Sequence, residues 1–135
     1  MAAASSCSAP VAKPEAEVWT IQLFNSSKEP LGVVRIEVTS EAPGRSCMEL
    51  APGPRRLGRV LERPNLSGPK IEDTAILSVD GDSFDINLSP SWCDSNVVLS
   101  GKRVGNQADG ELYFQRMPGY ENKGSFHARR RGPAV

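Results

Sequence analysis

The sequence predicts an all-β domain, an antiparallel meander of about seven or eight strands that closes as a small barrel or folds over as a sandwich. Three observations carry that expectation. Apolar residues recur with a period of two along most of the chain, as in Trp19, Ile21, Leu23 and again in Phe84, Ile86, Leu88, which is the pattern of a half-buried strand. Gly and Pro number 12 and 11 among 135 residues, dense enough to punctuate short elements rather than long ones. No window of about 11 residues carries an apolar stripe at helical spacing. The length suits one domain, and 39% hydrophobic with 24% charged residues belongs to a globular chain rather than a disordered one.

Residues 1–16 contain Pro10 and Pro14 and, of branched apolar or aromatic residues, only Val11. Such a segment cannot bury enough surface to offset its ordering entropy and reads as a tether. The folded domain is expected over residues 17–130, with a flexible tail at 131–135. A first strand follows Glu17, with Trp19, Ile21 and Leu23 on its inner face. A second carries Val34, Ile36 and Val38 after the polar turn 25–30, and the two make a hairpin. Residues 41–54 are broken by Pro and Gly, with room for a short strand around Cys47 to Leu50. Arg56 to Arg63 reads as an edge strand bulged at Gly58. Thr74 to Val79 and Asp82 to Leu88 flank Asp80-Gly81, the strongest hairpin signal in the chain. Val97 to Val104 is a strand whose Gly101 marks a bulge or a close backbone crossing. Residues 105–110 read as a turn, Glu111 to Arg116 as a strand, and Ser125 to Arg129 as the closing strand with Phe126 and Ala128 inward.

The three cysteines divide as one plus two. Cys7 lies in the tether, whereas Cys47 and Cys93 lie inside the domain. There is no Cys-x-x-Cys, and His127 is the only histidine, so no metal site is expected. A Cys47–Cys93 disulfide would close a loop of about 46 residues, worth about 4 kcal/mol in the chain-entropy model.

The Ala-Ala-Ala-Ser-Ser run before Cys7, followed by a Ser/Ala/Pro-rich stretch, resembles the end of a bacterial lipoprotein signal and its linker. Ala4 stands where that signal usually has leucine, and the basic start and apolar core of such a signal are missing from these residues. The resemblance implies that the chain starts late in a signal, that Cys7 carries lipid, and that the protein is periplasmic or outer-membrane-anchored, touching membrane only peripherally. Cys47 and Cys93 would then meet an oxidising compartment. The other reading is an ordinary leader on a cytoplasmic β-domain.

Catalytic motifs are wanting. Cys93, Asp94 and His127 could be imagined as a triad, but no strand-turn-helix elbow accompanies them, and His127, between Phe126 and Ala128, is expected to face outward. Asp80, Asp82 and Asp85 crowd one hairpin and are candidates for a partner patch or a hard cation, although the twelve-residue calcium loop is absent. No enzyme activity and no cofactor are expected. Trp19 and Trp92, the two tryptophans, read as core, or else as a ligand-cavity wall or binding hot spot.

The formal charge is zero but unevenly spread. Residues 72–95 hold six acids and no Lys or Arg, whereas residues 102–135 hold seven bases and three acids. Balanced charge and only three consecutive arginines at 129–131 argue against nucleic acid as a partner. The expectation is therefore a non-enzymatic, extracytoplasmic barrel that docks a protein partner in the manner of an inhibitor. The alternatives are a carrier of a small apolar ligand, whose barrel would resemble the lipocalins, and a cytoplasmic domain of unknown role.

Overall fold

The computed structural model describes residues 16–44, 54–116 and 119–132. Among them the alternating segments form strands and no helix: β1 (Val18–Asn25), β2 (Pro30–Val38), β3 (Arg56–Glu62), β4 (Thr74–Asp80), β5 (Ser83–Asn87), β6 (Ser95–Val104), β7 (Gln107–Arg116) and β8 (Gly119–Arg131). Each strand pairs antiparallel with the next, and β8 pairs with β1 from Arg131↔Val18 to Gly124↔Asn25, which closes the barrel. Closure rather than sandwiching hides the apolar face and leaves no edge.

That closure corrects the reading of β3 as an edge strand. β3 lies between β2 and β4, and its irregularity falls opposite Arg35/Ile36 rather than at Gly58. Gly58 is there for another reason: a Cβ on it would lie 2.4 Å from the Ile36 side chain and 2.6 Å from that of Leu77, both of which fill the interior over β3. The short strand expected around Cys47 lies outside the described residues.

The β4–β5 and β6–β7 hairpins each use glycine at the first central position of a two-residue turn. β4 and β5 pair as Asp80↔Ser83, so Gly81 and Asp82 form the turn and Gly81 takes φ +61°. β6 and β7 pair as Val104↔Gln107 around Gly105, φ +62°. A glycine with positive φ at that position is what a type II′ turn requires. The second turn is tighter than the six polar residues at 105–110 suggest: Ala108 is already buried inside the barrel and Asp109 and Gly110 are paired strand residues. β8 likewise extends beyond Ser125–Arg129, because its polar first half pairs with β7 and needs no apolar pattern of its own.

The inner faces meet in one filled core. Trp19, Ile21, Leu23, Val34, Ile36, Phe84, Ile86, Leu88, Val97, Leu99 and Leu112 expose no surface. Trp19 packs edge-on to Phe84 at 4.8 Å, and Phe84 stacks at a tilt on Phe126 at 5.4 Å, a geometry favoured by ring quadrupoles. Gly101 and Gly110 face each other across β6 and β7 beside these rings. A Cβ on Gly110 would stand 2.2 Å from the Ser100 carbonyl oxygen and 2.8 Å from the Phe126 ring. The close crossing expected at Gly101 is thus present: a Cβ there would strike the backbone of Asp109 and Gly110 on β7.

The alternating strand directions sort the connections between two ends. One end carries the chain termini, the β2–β3 connection and the two tight turns. The other carries the β1–β2 turn, the β3–β4 and β5–β6 loops and the β7–β8 turn. Over this loop end the β3–β4 connection lays Leu66 and Ile71 against the core, and Gly68 against the Phe114 ring.

Candidate functional site

Trp92 is the feature of the loop end that burial does not explain. It sits in the β5–β6 loop with 51% of its surface exposed, although a tryptophan side chain gains much from burial. The loop is held by buried polar side chains at its two roots. Asn87 Oδ1 accepts the Ser89 N–H at 2.9 Å, and Asn96 Nδ2 donates to the carbonyls of Ser89 (2.7 Å) and Trp92 (2.9 Å). Ser89 Oγ donates to the Lys70 carbonyl at 2.5 Å and accepts the Val97 N–H at 3.1 Å. The Trp92 N–H closes a turn onto the Ser89 carbonyl at 3.1 Å. Asn87 Nδ2 and Asn96 Oδ1 find no hydrogen-bond partner among the described residues, so this anchorage carries a desolvation cost.

Beside Trp92 opens a cleft of about 420 Å³ whose lining includes Arg63, Lys70, Glu72, Asp73 and Ser91. Arg63 pairs with Asp73 at 2.6 Å, and Ser91 Oγ donates to Glu72 at 2.6 Å. An exposed indole beside a notch of both charge signs, on a loop whose backbone is already pinned at Ser89 and Trp92, can serve as an anchor with little backbone ordering left to pay for on binding.

At the opposite end the barrel mouth is closed by a buried carboxylate. Glu17 accepts the Trp19 indole N–H at 3.2 Å and Arg56 at 3.0 Å, and it stands 3.8 Å from Arg130. Arg130 lies over the Trp19 ring at 5.9 Å and donates to Asn106 Oδ1 at 2.7 Å. Trp19 is therefore held on every side, by aromatic rings within and this ionic cap above, and does not line a ligand cavity. A carrier's interior space would leave part of its walls accessible, and these walls are not.

The other sequence candidates are distributed rather than gathered. Asp80 and Asp82 lie at the β4–β5 turn. Asp85 faces outward on β5, where Ser100 Oγ donates to it at 2.6 Å. No group of three or more His, Cys, Asp or Glu able to hold a metal ion occurs among the described residues, so the three aspartates do not converge on a cation. The nearby Arg103 donates its Nε to the Gly81 carbonyl at 3.0 Å rather than to a carboxylate. His127 faces outward on β8 and contacts Asp109 at 2.6 Å. Cys93 and Asp94 precede Ser95, which is level with Arg116 and so with Gly119, and His127 lies about 25 Å further along β8. The imagined triad does not assemble.

Cys7 and Cys47 lie outside the described residues. The chain reaches the segment containing Cys47 from Val38 and leaves it to Arg56, both at the end opposite the Cys93 loop.

Two clusters that sequence reasoning missed are the Glu17 cap and the Asn87–Ser89–Asn96 anchor. Their members are separated by up to 113 residues in the cap, Glu17 to Arg130, and no local pattern joins them. The anchor left a fainter trace: Asn87 and Ser89 flank the apolar Leu88 just where β5 ends.

No protein-family model, curated protein or solved structure matches this chain. The functional reading therefore rests on the geometry above.

Proposed function

We propose that this barrel is a non-enzymatic binding domain that docks a protein partner through its loop end, in the manner of an inhibitor, with Trp92 as the anchor. The observation that carries the reading is the half-exposed Trp92 on a loop fastened at Ser89, Asn96 and Glu72. Buried-on-binding tryptophans are the side chains most enriched among binding hot spots. The filled interior favours this over a carrier of a small apolar ligand. The same proposal places the protein outside the cytoplasm, with lipid on Cys7 and a Cys47–Cys93 disulfide steadying the Trp92 loop. The resemblance of residues 2–16 to a lipoprotein signal end supports that placement.

The test is affinity capture from the native host with wild-type protein and a Trp92→Ala variant, followed by direct titration of whatever is captured. Trp92→Ala should weaken binding by about 30-fold, the equivalent of a 2 kcal/mol hot spot, with its melting temperature unchanged. Equal affinity of the two proteins for every captured partner would end the proposal.

A further inference from the structure

Zero net charge conceals a polarised barrel. In a closed ring of eight strands, members four apart face opposite ways, so β4–β5 stand across from β8–β1. The β4–β5 hairpin carries Asp80, Asp82 and Asp85 and no base. The outer face of β8–β1–β2 carries Arg35, His127, Arg129 and Arg131.

Within that basic wall the register brings two guanidinium groups to one row. Thr20 on β1 lies opposite Arg35 of β2 on one side and Arg129 of β8 on the other. All three alternate with core residues and so face outward. The next row holds Gln22 beside His127. Thr20, Gln22, His127 and Arg129 line a groove of about 270 Å³. Neither Arg35 nor Arg129 has a hydrogen-bond or ion-pair partner among the described residues, although acids stand near. Glu62 lies opposite Arg35 without an ion pair, Glu37 is bound at 2.6 Å by Arg59, and Asp109 is bound by His127. Most of the other arginines find acceptors, Arg63 on Asp73, Arg56 on Glu17, Arg103 on Gly81 and Arg130 on Asn106, and Arg116 on β7 is a further one that does not among the described residues.

We infer that this groove is a second contact surface, which receives an acidic extended segment of a protein partner. Arg35 and Arg129 are separated by two strand spacings, roughly 10 Å, and so stand on either side of an extended chain laid over Thr20, where each can meet a carboxylate of that chain. Guanidinium groups bind carboxylates in fork geometry, and Thr20 and Gln22 offer hydroxyl and amide groups to the backbone between them. The surface is a wall of the barrel rather than its loop end, so it stands or falls independently of Trp92.

The probes are hexaglutamate and, separately, inorganic phosphate, titrated into the full chain at low salt while backbone amide shifts are followed by NMR. Hexaglutamate should produce saturable shifts centred on Thr20, Gln22, Arg35, His127 and Arg129. A double variant, Arg35→Gln with Arg129→Gln, should raise its dissociation constant at least about tenfold without lowering the melting temperature, since neither side chain has a partner to lose. A double variant of equal charge change elsewhere, Lys28→Gln with Lys123→Gln, should raise it less than about threefold. Equal weakening by the two double variants means diffuse attraction and overturns the inference. So do shifts centred elsewhere, or phosphate binding at the groove as tightly as the peptide.

Discussion

Replacing Glu17 with alanine tests the ionic cap and, through it, the account of why Trp19 is immobile. Three donors converge on this one carboxylate, whose side chain is only 6% exposed. Their losses differ. Arg56 is 33% exposed and hydrates readily, so its lost pair costs about 0.5 kcal/mol or less. Arg130 is 11% exposed and keeps Asn106 and the Trp19 ring, which limits its loss to about 1 kcal/mol, well below the 3–5 of a wholly orphaned buried charge. The Trp19 indole N–H keeps no acceptor, a cost of about 1–2 kcal/mol. Glu17→Ala should therefore destabilise the barrel by about 3 kcal/mol, a fall of roughly 10 °C in melting temperature for a domain of this size. Glu17→Gln retains an acceptor for the indole and should cost about half as much. Urea denaturation of the three proteins, followed by far-ultraviolet circular dichroism, measures both differences. A loss under about 1 kcal/mol for Glu17→Ala, or a glutamine as damaging as the alanine, would refute the argument.

Gly110→Ala should cost more than about 3 kcal/mol or abolish folding, because its Cβ would strike the Ser100 carbonyl and the Phe126 ring. Gly81→Ala meets open space at φ +61° and should cost only about 1 kcal/mol; thermal melts of the pair give the contrast. The Trp92→Ala protein should show a blue-shifted fluorescence that resists acrylamide, since the remaining Trp19 exposes no surface, whereas Trp19→Phe should leave a quenchable, red-shifted emission. Non-reducing peptide mapping of protein from its native host should recover Cys93 joined to Cys47; a Cys7–Cys93 peptide would place the bridge in the tether and remove lipid from Cys7.

Much of the barrel was readable because strand alternation is a local property. Trp19 through Leu23, Val34 through Val38 and Phe84 through Leu88 announce both the strand and its inner face, and the barrel places each of them inward. Where the pattern weakened, the reading failed for identifiable reasons. Gly105 to Gly110 looks like a loop by composition, yet Asp109 and Gly110 are held in β7 by partners on β6 and β8. Gly58 looks like a bulge, yet its missing side chain is replaced by Ile36 and Leu77 from neighbouring strands. Of the two tryptophans, Trp92 is half exposed at the loop end and Trp19 is buried in the core.

By itself the sequence determined the class of the fold, the identity of its inward residues and the β4–β5 hairpin, all consequences of side chains alternating every residue and of glycine's tolerance for positive φ. Only the tertiary structure decided that β8 meets β1, that Glu17 shares a site with Arg56 and Arg130, and that Arg35 and Arg129 flank Thr20. Those are contacts between residues far apart in the chain, chosen by which strand edges must be satisfied once the apolar faces have turned inward.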